Sequence, residues 1–191
     1  MLHRNIEIDT AMISYHLLLA HDAADLTAHL LRLAPQERAT RFFTAVNDHF
    51  IETHVAGIDW RNTVVIAAFK GGHIVGAAEL FATDYGAELA VTVDHDIQRE
   101  GIGTELVRRA LLAARNRGIS HVHVEYLSHN LAIRHVAAKF APALHFTRGG
   151  AVADIPVAAP DPVSLAREVA AEASGWFWDF TDRWQPYAPP R

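Results

Sequence analysis

Gln98, Gly101 and Gly103 stand at fixed spacing between a strand-like run at residues 88–93 and a helix-like run at residues 104–117. A glycine-rich turn between a strand and a helix N-terminus suits a phosphate group. Glycine lets the backbone approach closely, and the first N–H groups of a helix have no partner within it. The helix end adds roughly half a positive charge. The backbone N–H groups of Arg99, Glu100, Gly101, Ile102, Gly103 and Thr104 are the candidate cradle, and the Arg99 side chain either adds charge or faces solvent. A lone turn of this kind is often only a tight connection. A Rossmann-type nucleotide site would need G-x-G-x-x-G in an early βαβ unit, and that order is missing.

Other chemistries are narrowed by composition. The 191 residues include no cysteine, which excludes disulfides, thiolate catalysis and thiolate metal sites. Thirteen histidines invite a metal reading. His121 and His123 alternate with Val122 and Val124 and would share one strand face, but no third ligand lies at metal-site spacing. No metal is expected. A net charge of −5 argues against a nucleic-acid binder, because phosphate contacts dominate that affinity. No apolar run reaches the length of a membrane span, and the N-terminal residues are too polar for a signal peptide. A cytoplasmic location is the expectation.

The elements that must hold these residues follow from periodicity and punctuation. Residues 14–20 read as a strand. Asp22 is placed to cap a helix over residues 23–33, with Leu26, Leu30, Leu31 and Leu33 on one face. Pro35 opens a second helix carrying Arg41, Phe42 and Phe43. Asn47 caps a third that runs to about Gly57. Residues 64–69 and 74–83 form a hairpin around Gly71-Gly72, and the chain turns again near Gly86. After the glycine-rich turn, Leu106, Val107, Ala110, Leu111 and Ala114 mark the buried stripe of a helix that Gly118 stops. A strand over 119–127, a helix over 130–140 and a last hairpin around Gly149-Gly150 complete the order β-α-α-α-β-β-β-α-β-α-β-β. This predicts a mixed α/β (α+β) domain with a largely antiparallel sheet in its first half.

Composition shifts near residue 158. Asp161-Pro162 signals a helix start, and residues 163–173 continue it. Trp176, Phe177, Trp178, Phe180 and Trp184 follow, before a Pro-rich tail. The expected division is a domain over 1–157 and a C-terminal extension over 158–191, packing on the domain or on a partner subunit. The aromatics would pack on the domain's own sheet, form a homodimer contact, or cover an acceptor site.

Residues 88–140 resemble the GNAT superfamily of acyl-CoA-dependent N-acyltransferases. That family carries Q/R-x-x-G-x-G/A between a strand and a helix, and Gln98, Gly101 and Gly103 match it. An asparagine then opens the next helix, ahead of a small-apolar stripe and a lysine. Asn130, Ala132, Ile133, Val136, Ala137 and Lys139 fit, while Ala141-Pro142 stand where Gly-Phe is usual. The run 87–93 followed by Gln98, and the early stretch 33–43, look like bacterial Pat-type protein-lysine acetyltransferases.

The resemblance implies a GNAT-type mixed, largely antiparallel sheet flanked by helices, and acetyl-CoA as cosubstrate bound through Gln98–Thr104. It implies that the backbone around Val91 and Val93 pairs with the pantetheine arm, with the Val91 N–H polarising the thioester carbonyl. Asn130 either contacts CoA or simply caps its helix. In the subgroup, a glutamate at the position of Glu88 is the general base. An alkylammonium has a pKa near ~10.4, so roughly one molecule in a thousand is nucleophilic at neutral pH. A carboxylate that removes this proton contributes roughly 10²–10⁴-fold. An ordinary glutamate is a weak base, so burial must raise it or a water must relay; Glu79 is the reserve. The usual acid, a tyrosine seven residues after the asparagine, is here Ala137; a thiolate, from a thiol of pKa near ~8.5, can leave without a side-chain acid, and Tyr126, Ser128 and His135 are the substitutes. The acceptor would be a small amine or a protein lysine, without nucleic acid or membrane partners. A non-catalytic acyl-CoA-binding module is the alternative.

Overall fold

The computed structural model describes residues 12–146 and 149–183, side chains excepted at 143, 144 and 174–183. A seven-stranded sheet runs through it in the order β1-β2-β3-β4-β5-β7-β6. The strands are β1 (Ser14–Leu18), β2 (Thr63–Lys70), β3 (His73–Thr83), β4 (Gly86–Val93), β5 (His121–Leu127), β6 (Ala143–Phe146) and β7 (Gly150–Pro156). The helices are α1 (Ala23–Arg32), α2 (Pro35–Phe42), α3 (Asp48–Ala56), α4 (Ile102–Asn116), α5 (Leu131–Ala137) and α6 (Pro162–Arg183). Neighbouring strands pair antiparallel except β4 and β5, which are parallel.

The continuous apolar run of β2 is explained by burial on both faces. Alternate side chains point to opposite sides. Val64, Ile66 and Ala68 join a core with Leu106, Val107, Ala110 and Ala114 of α4. Val65 and Ala67 join a second core with Leu26 and Leu30 of α1 and Ile51 and Val55 of α3. The expected element order and mixed, largely antiparallel sheet are therefore present.

Several local expectations shift. Asp22 does not cap α1 with its side chain; its carboxylate accepts from the Leu19 N–H at 2.8 Å. A single 3-10 turn at Ala20–Asp22 has taken the place of the end of β1. Asn47 does cap α3, accepting from the Phe50 N–H at 2.9 Å. The helix over 130–140 stops at Ala137, because Lys139 and Phe140 bond back only three residues, to the Val136 and Ala137 carbonyls. The glycine-rich turn is shorter than expected, with α4 beginning at Ile102.

Helix α6 extends well beyond the expected 163–173 and packs on β1 and α4. Its Glu172 carboxylate accepts from the Leu17 N–H at 3.1 Å, covering part of the edge strand β1. Arg115, Asn116 and Arg117, at the end of α4, bond Asp161, Glu168 and the Ser164 carbonyl. The Trp- and Phe-rich side chains from 176 onward lie outside the described residues, and so do the expectations that rest on them.

Candidate functional site

Strands β4 and β5 pair at only two positions, Ala87 with Val122 and Glu88 with His123. Past these the strands part. On its other side β4 stays paired with β3 along its whole length, up to Val93 opposite Gly76. From Leu89 to Val93 the β5-facing edge of β4 therefore has no sheet partner among the described residues. A cleft of about 1080 Å³ opens there, lined by residues 88–93, the glycine-rich turn, Val124–Tyr126, α2 and α5.

At one end of the cleft stands the N-terminus of α4. Arg99 (φ 70°) and Gly101 (φ 89°) both take left-handed conformations, and the N-cap Gly101 supplies no side-chain acceptor. The first N–H groups of α4 are thus left without a cap among the described residues. A Cβ on Gly103 would sit 3.6 Å from Val93 Cγ2, an ordinary contact, so alanine is sterically compatible with the protein there. Lys139 of the α5 end donates to Thr104 Oγ1 at 3.1 Å and also lines the cleft. Uncapped N–H groups, a helix dipole and a lysine together suit a phosphate.

The sequence-predicted residues are largely brought together here. Glu88, Val91, Val93, Gln98, Arg99, Gly101, Ile102, Gly103, Thr104 and Asn130 all line the cleft, whereas Glu100 is exposed outside it. Gln98 is engaged structurally: its amide donates to the Val93 carbonyl (3.1 Å) and to Glu37 of α2 (3.2 Å). Asn130 Oδ1 accepts from the Ile133 N–H at 3.2 Å, so the asparagine caps α5. Glu88 is exposed and makes no hydrogen bond or ion pair among the described residues.

Glu79, the reserve base, is 1% exposed and bound at both oxygens. Arg41 Nη2 lies 2.7 Å from Oε1, and His54 Nε2 lies 2.8 Å from Oε2. Burial raises the Glu79 pKa, but the Arg41 charge and the His54 hydrogen bond outweigh it and hold the carboxyl at about 2. A carboxylate so held is a poor proton acceptor. Among the substitute acids, Tyr126 and His135 line the cleft and Ser128 does not. Tyr126 is 2% exposed, and its hydroxyl has no hydrogen-bond partner among the described residues.

Two clusters escaped the sequence reading. One is Arg41–Glu79–His54, which ties α2 and α3 to β3. The other is centred on His29, which is fully buried. Its Nε2 lies 2.8 Å from Thr92 Oγ1, and Asp94 stands 3.1 Å from Nδ1, an ion-pair contact without hydrogen-bond alignment. This clamps β4 just where its edge is open. His121 and His123 both approach Asp154, at 3.1 and 3.5 Å. Among the described residues no group of three or more His, Asp or Glu side chains is arranged to hold a metal.

The sequence profile of the acetyltransferase (GNAT) family matches residues 28–141, more than half of the chain. The chain belongs to the GNAT family of acetyltransferases. No curated protein matches it in sequence. Among solved structures, the GNAT domain of S. lividans PAT is similar, at 20% identity and a TM-score of 0.65, over 75% of this chain and 89% of that one. The putative acetyltransferase YncA from Salmonella typhimurium, with its cofactor acetyl-CoA, shares 19% identity at a TM-score of 0.56, over 80% and 99% of the two chains. PaiA N-acetyltransferase from Thermoplasma acidophilum, in complex with coenzyme A, shares 13% identity at a TM-score of 0.56, over 76% and 99%.

Proposed function

We propose that this chain transfers an acetyl group from acetyl-CoA to a primary amine, with Glu88 as general base. The observation that carries the reading is the parting of β4 and β5 directly after Glu88, inside a cleft that leads to the uncapped start of α4. Those groups fit a CoA. The pyrophosphate would lie on the N–H groups from Arg99 to Thr104, with Lys139 beside it. The pantetheine amides would pair with the free edge at Val91 and Val93, and Asn130 would lie alongside. Two of the similar solved structures carry acetyl-CoA or coenzyme A in their own right.

Acetyl-CoA supplies an activated thioester. The amine's N–C bond forms as the C–S bond breaks. The amine proton passes to Glu88, through water because the carboxylate is exposed. The sulfur departs as a thiolate, which can leave without a side-chain acid; Tyr126, whose hydroxyl has no partner among the described residues, is a candidate to protonate it. The N–H of Val91 polarises the thioester carbonyl. With no cysteine, attack is direct, within a ternary complex. The Pat-type resemblance favours a protein lysine as acceptor, in a cytoplasmic setting. The extension over 158–191 would belong to the same body or to a homodimer contact.

The test is Glu88→Gln, assayed by calorimetric CoA titration and by turnover on a panel of amines. Turnover should fall by roughly 10²–10⁴-fold with CoA affinity retained. Unchanged turnover would remove Glu88 as base. CoA binding with no amine, peptide or protein acetylated by the native chain would instead favour a sensing module.

A further inference from the structure

We propose that the proton taken from the acceptor amine passes beyond Glu88 and comes to rest on His123, so that the base of the reaction is the row Glu88–His123–Asp154. This rests on the acyl-transfer reading and assigns its proton path. Strand register sets the row. Glu88 of β4 pairs directly with His123 of β5, and His123 pairs directly with Asp154 of β7. Neighbouring strands lie roughly 4.8 Å apart, and paired residues share a face, so the three side chains stand abreast. Glu88–His123 is also the last paired position before β4 and β5 part, which puts the row where the cleft opens.

Basicity ranks the three. A carboxylate near ~4.3 and an imidazole near ~6.5 differ by about two pH units, so an imidazole holds a proton roughly a hundredfold more tightly. Glu88 lines the cleft and reaches the amine, but it is the weaker base. Asp154 acts on His123 from the other side. Its Oδ1 stands 3.5 Å from His123 Nδ1 and 3.1 Å from His121 Nδ1. A carboxylate beside Nδ1 keeps the proton on that nitrogen, leaves Nε2 as the accepting atom and stabilises the imidazolium that forms. No other polar contact of His123 is made among the described residues.

The surrounding charges agree with this assignment. His121 and Glu125 flank His123 on its own strand and face. Glu125 is exposed and lines the cleft, and a second carboxylate there favours the imidazolium further. Of the charged groups that α2 brings to the cleft, Glu37 is bound to Gln98 and Arg41 to Glu79. Helix α5 packs on the opposite face, with Val122 and Val124, and His145 of β6 pairs with Val152, one strand beyond Asp154. The amine nitrogen sheds two protons. The first leaves the ammonium before attack, through water to Glu88 and on to His123, whose side chain is 37% exposed and releases it to bulk water. The second leaves as the N–C bond forms and the C–S bond breaks, and it neutralises the thiolate.

The experiment follows single-turnover acetylation at saturating acceptor from about pH 5 to about pH 8.5, for the full chain, native, His123→Gln, His123→Ala and Asp154→Asn. The acceptor is the amine of the Glu88→Gln panel that the native chain acetylates fastest, and CoA affinity and Tm are measured alongside. The native rate should fall with a half-point between about pH 6 and about pH 7. His123→Gln should lower the rate roughly tenfold or more at neutral pH and move the half-point down by about one pH unit or more, with CoA affinity and Tm retained. Imidazole added to the buffer should restore rate to His123→Ala and leave the native rate unchanged. Asp154→Asn should also move the half-point down, and it carries the test if the His123 variants melt early. A native half-point in the carboxylate range, an unchanged rate in His123→Gln, a His123→Ala rate insensitive to imidazole, or an unmoved half-point in Asp154→Asn overturns this inference and leaves acyl transfer standing. Bound CoA with none of the amines acetylated overturns acyl transfer, and this proposal with it.

Discussion

Glu79 and Glu88 sit on adjacent strands and the same sheet face, and their surroundings divide them. Glu79 is buried between Arg41 and His54, and its carboxyl is held at about 2 rather than its ordinary 4.5. A depressed folded-state pKa stabilises the fold above the unfolded value and loses that stabilisation as pH falls through the folded one. Melting temperature should therefore drop between about pH 4.5 and pH 2, and Glu79→Gln should flatten that slope while lowering Tm at neutral pH. A slope identical in the variant would rule Glu79 out as its source. Tyr126→Phe removes a buried hydroxyl with no partner among the described residues, so stability should hold or rise slightly. If the phenol protonates the departing sulfur, kcat falls while CoA affinity holds; an unchanged kcat would dismiss it. Gly101→Ala is strained at φ 89° although nothing lies near the added methyl, so it should cost about 1 kcal/mol and weaken CoA binding. Glu88 and the glycine turn were legible because their neighbours in sequence define them. The fates of Glu79 and Gln98 were not, since Arg41 and His54 on the one and Glu37 on the other lie 25 to 61 residues away in the chain.

Strand β4 holds the site, and its stiffness has an identifiable source. Thr92 meets the buried His29 at 2.8 Å, fixing the strand between Val91 and Val93 from the face of α1. Thr92→Val strands a buried ring nitrogen and should cost about 1–3 kcal/mol. It should also speed hydrogen exchange at Val91 and Val93 and lower CoA affinity; exchange unchanged at both amides would show that the clamp does not set the edge. Elements with strong punctuation were readable from sequence, such as the hairpin at Gly71-Gly72 and the Asn47-capped α3. The parting of β4 from β5 was not, because β5 and the last part of β4 are apolar on alternate positions whether or not they pair. The Asp22 cap was misjudged for a related reason: its carboxylate serves either the helix behind it or the turn before it, and sequence alone does not choose.

Helix α6 packs on β1 and α4. Helix α6 covers the β1 edge through Glu172 and is held at the end of α4 by Asp161, Ser164 and Glu168. Deleting residues 158–191 should expose that edge and the flank of α4. We expect a lower Tm, by roughly 2–4 °C per kcal/mol lost, together with concentration-dependent light scattering. A truncated chain that melts like the full one and stays dispersed would establish 158–191 as a separable appendage. The gap between β4 and β5 has a consequence for the protein as a thermodynamic system. Its sheet is left incomplete by its own sequence, and the donor would supply the missing pairing. Folding and donor supply are then linked: at a hundred times its Kd, a ligand bound only by the folded chain adds about 2.7 kcal/mol of stability. The lifetime of this protein in a cell would then follow the concentration of its acyl donor, and a melting curve taken across donor concentrations would read out that dependence without any acceptor at all.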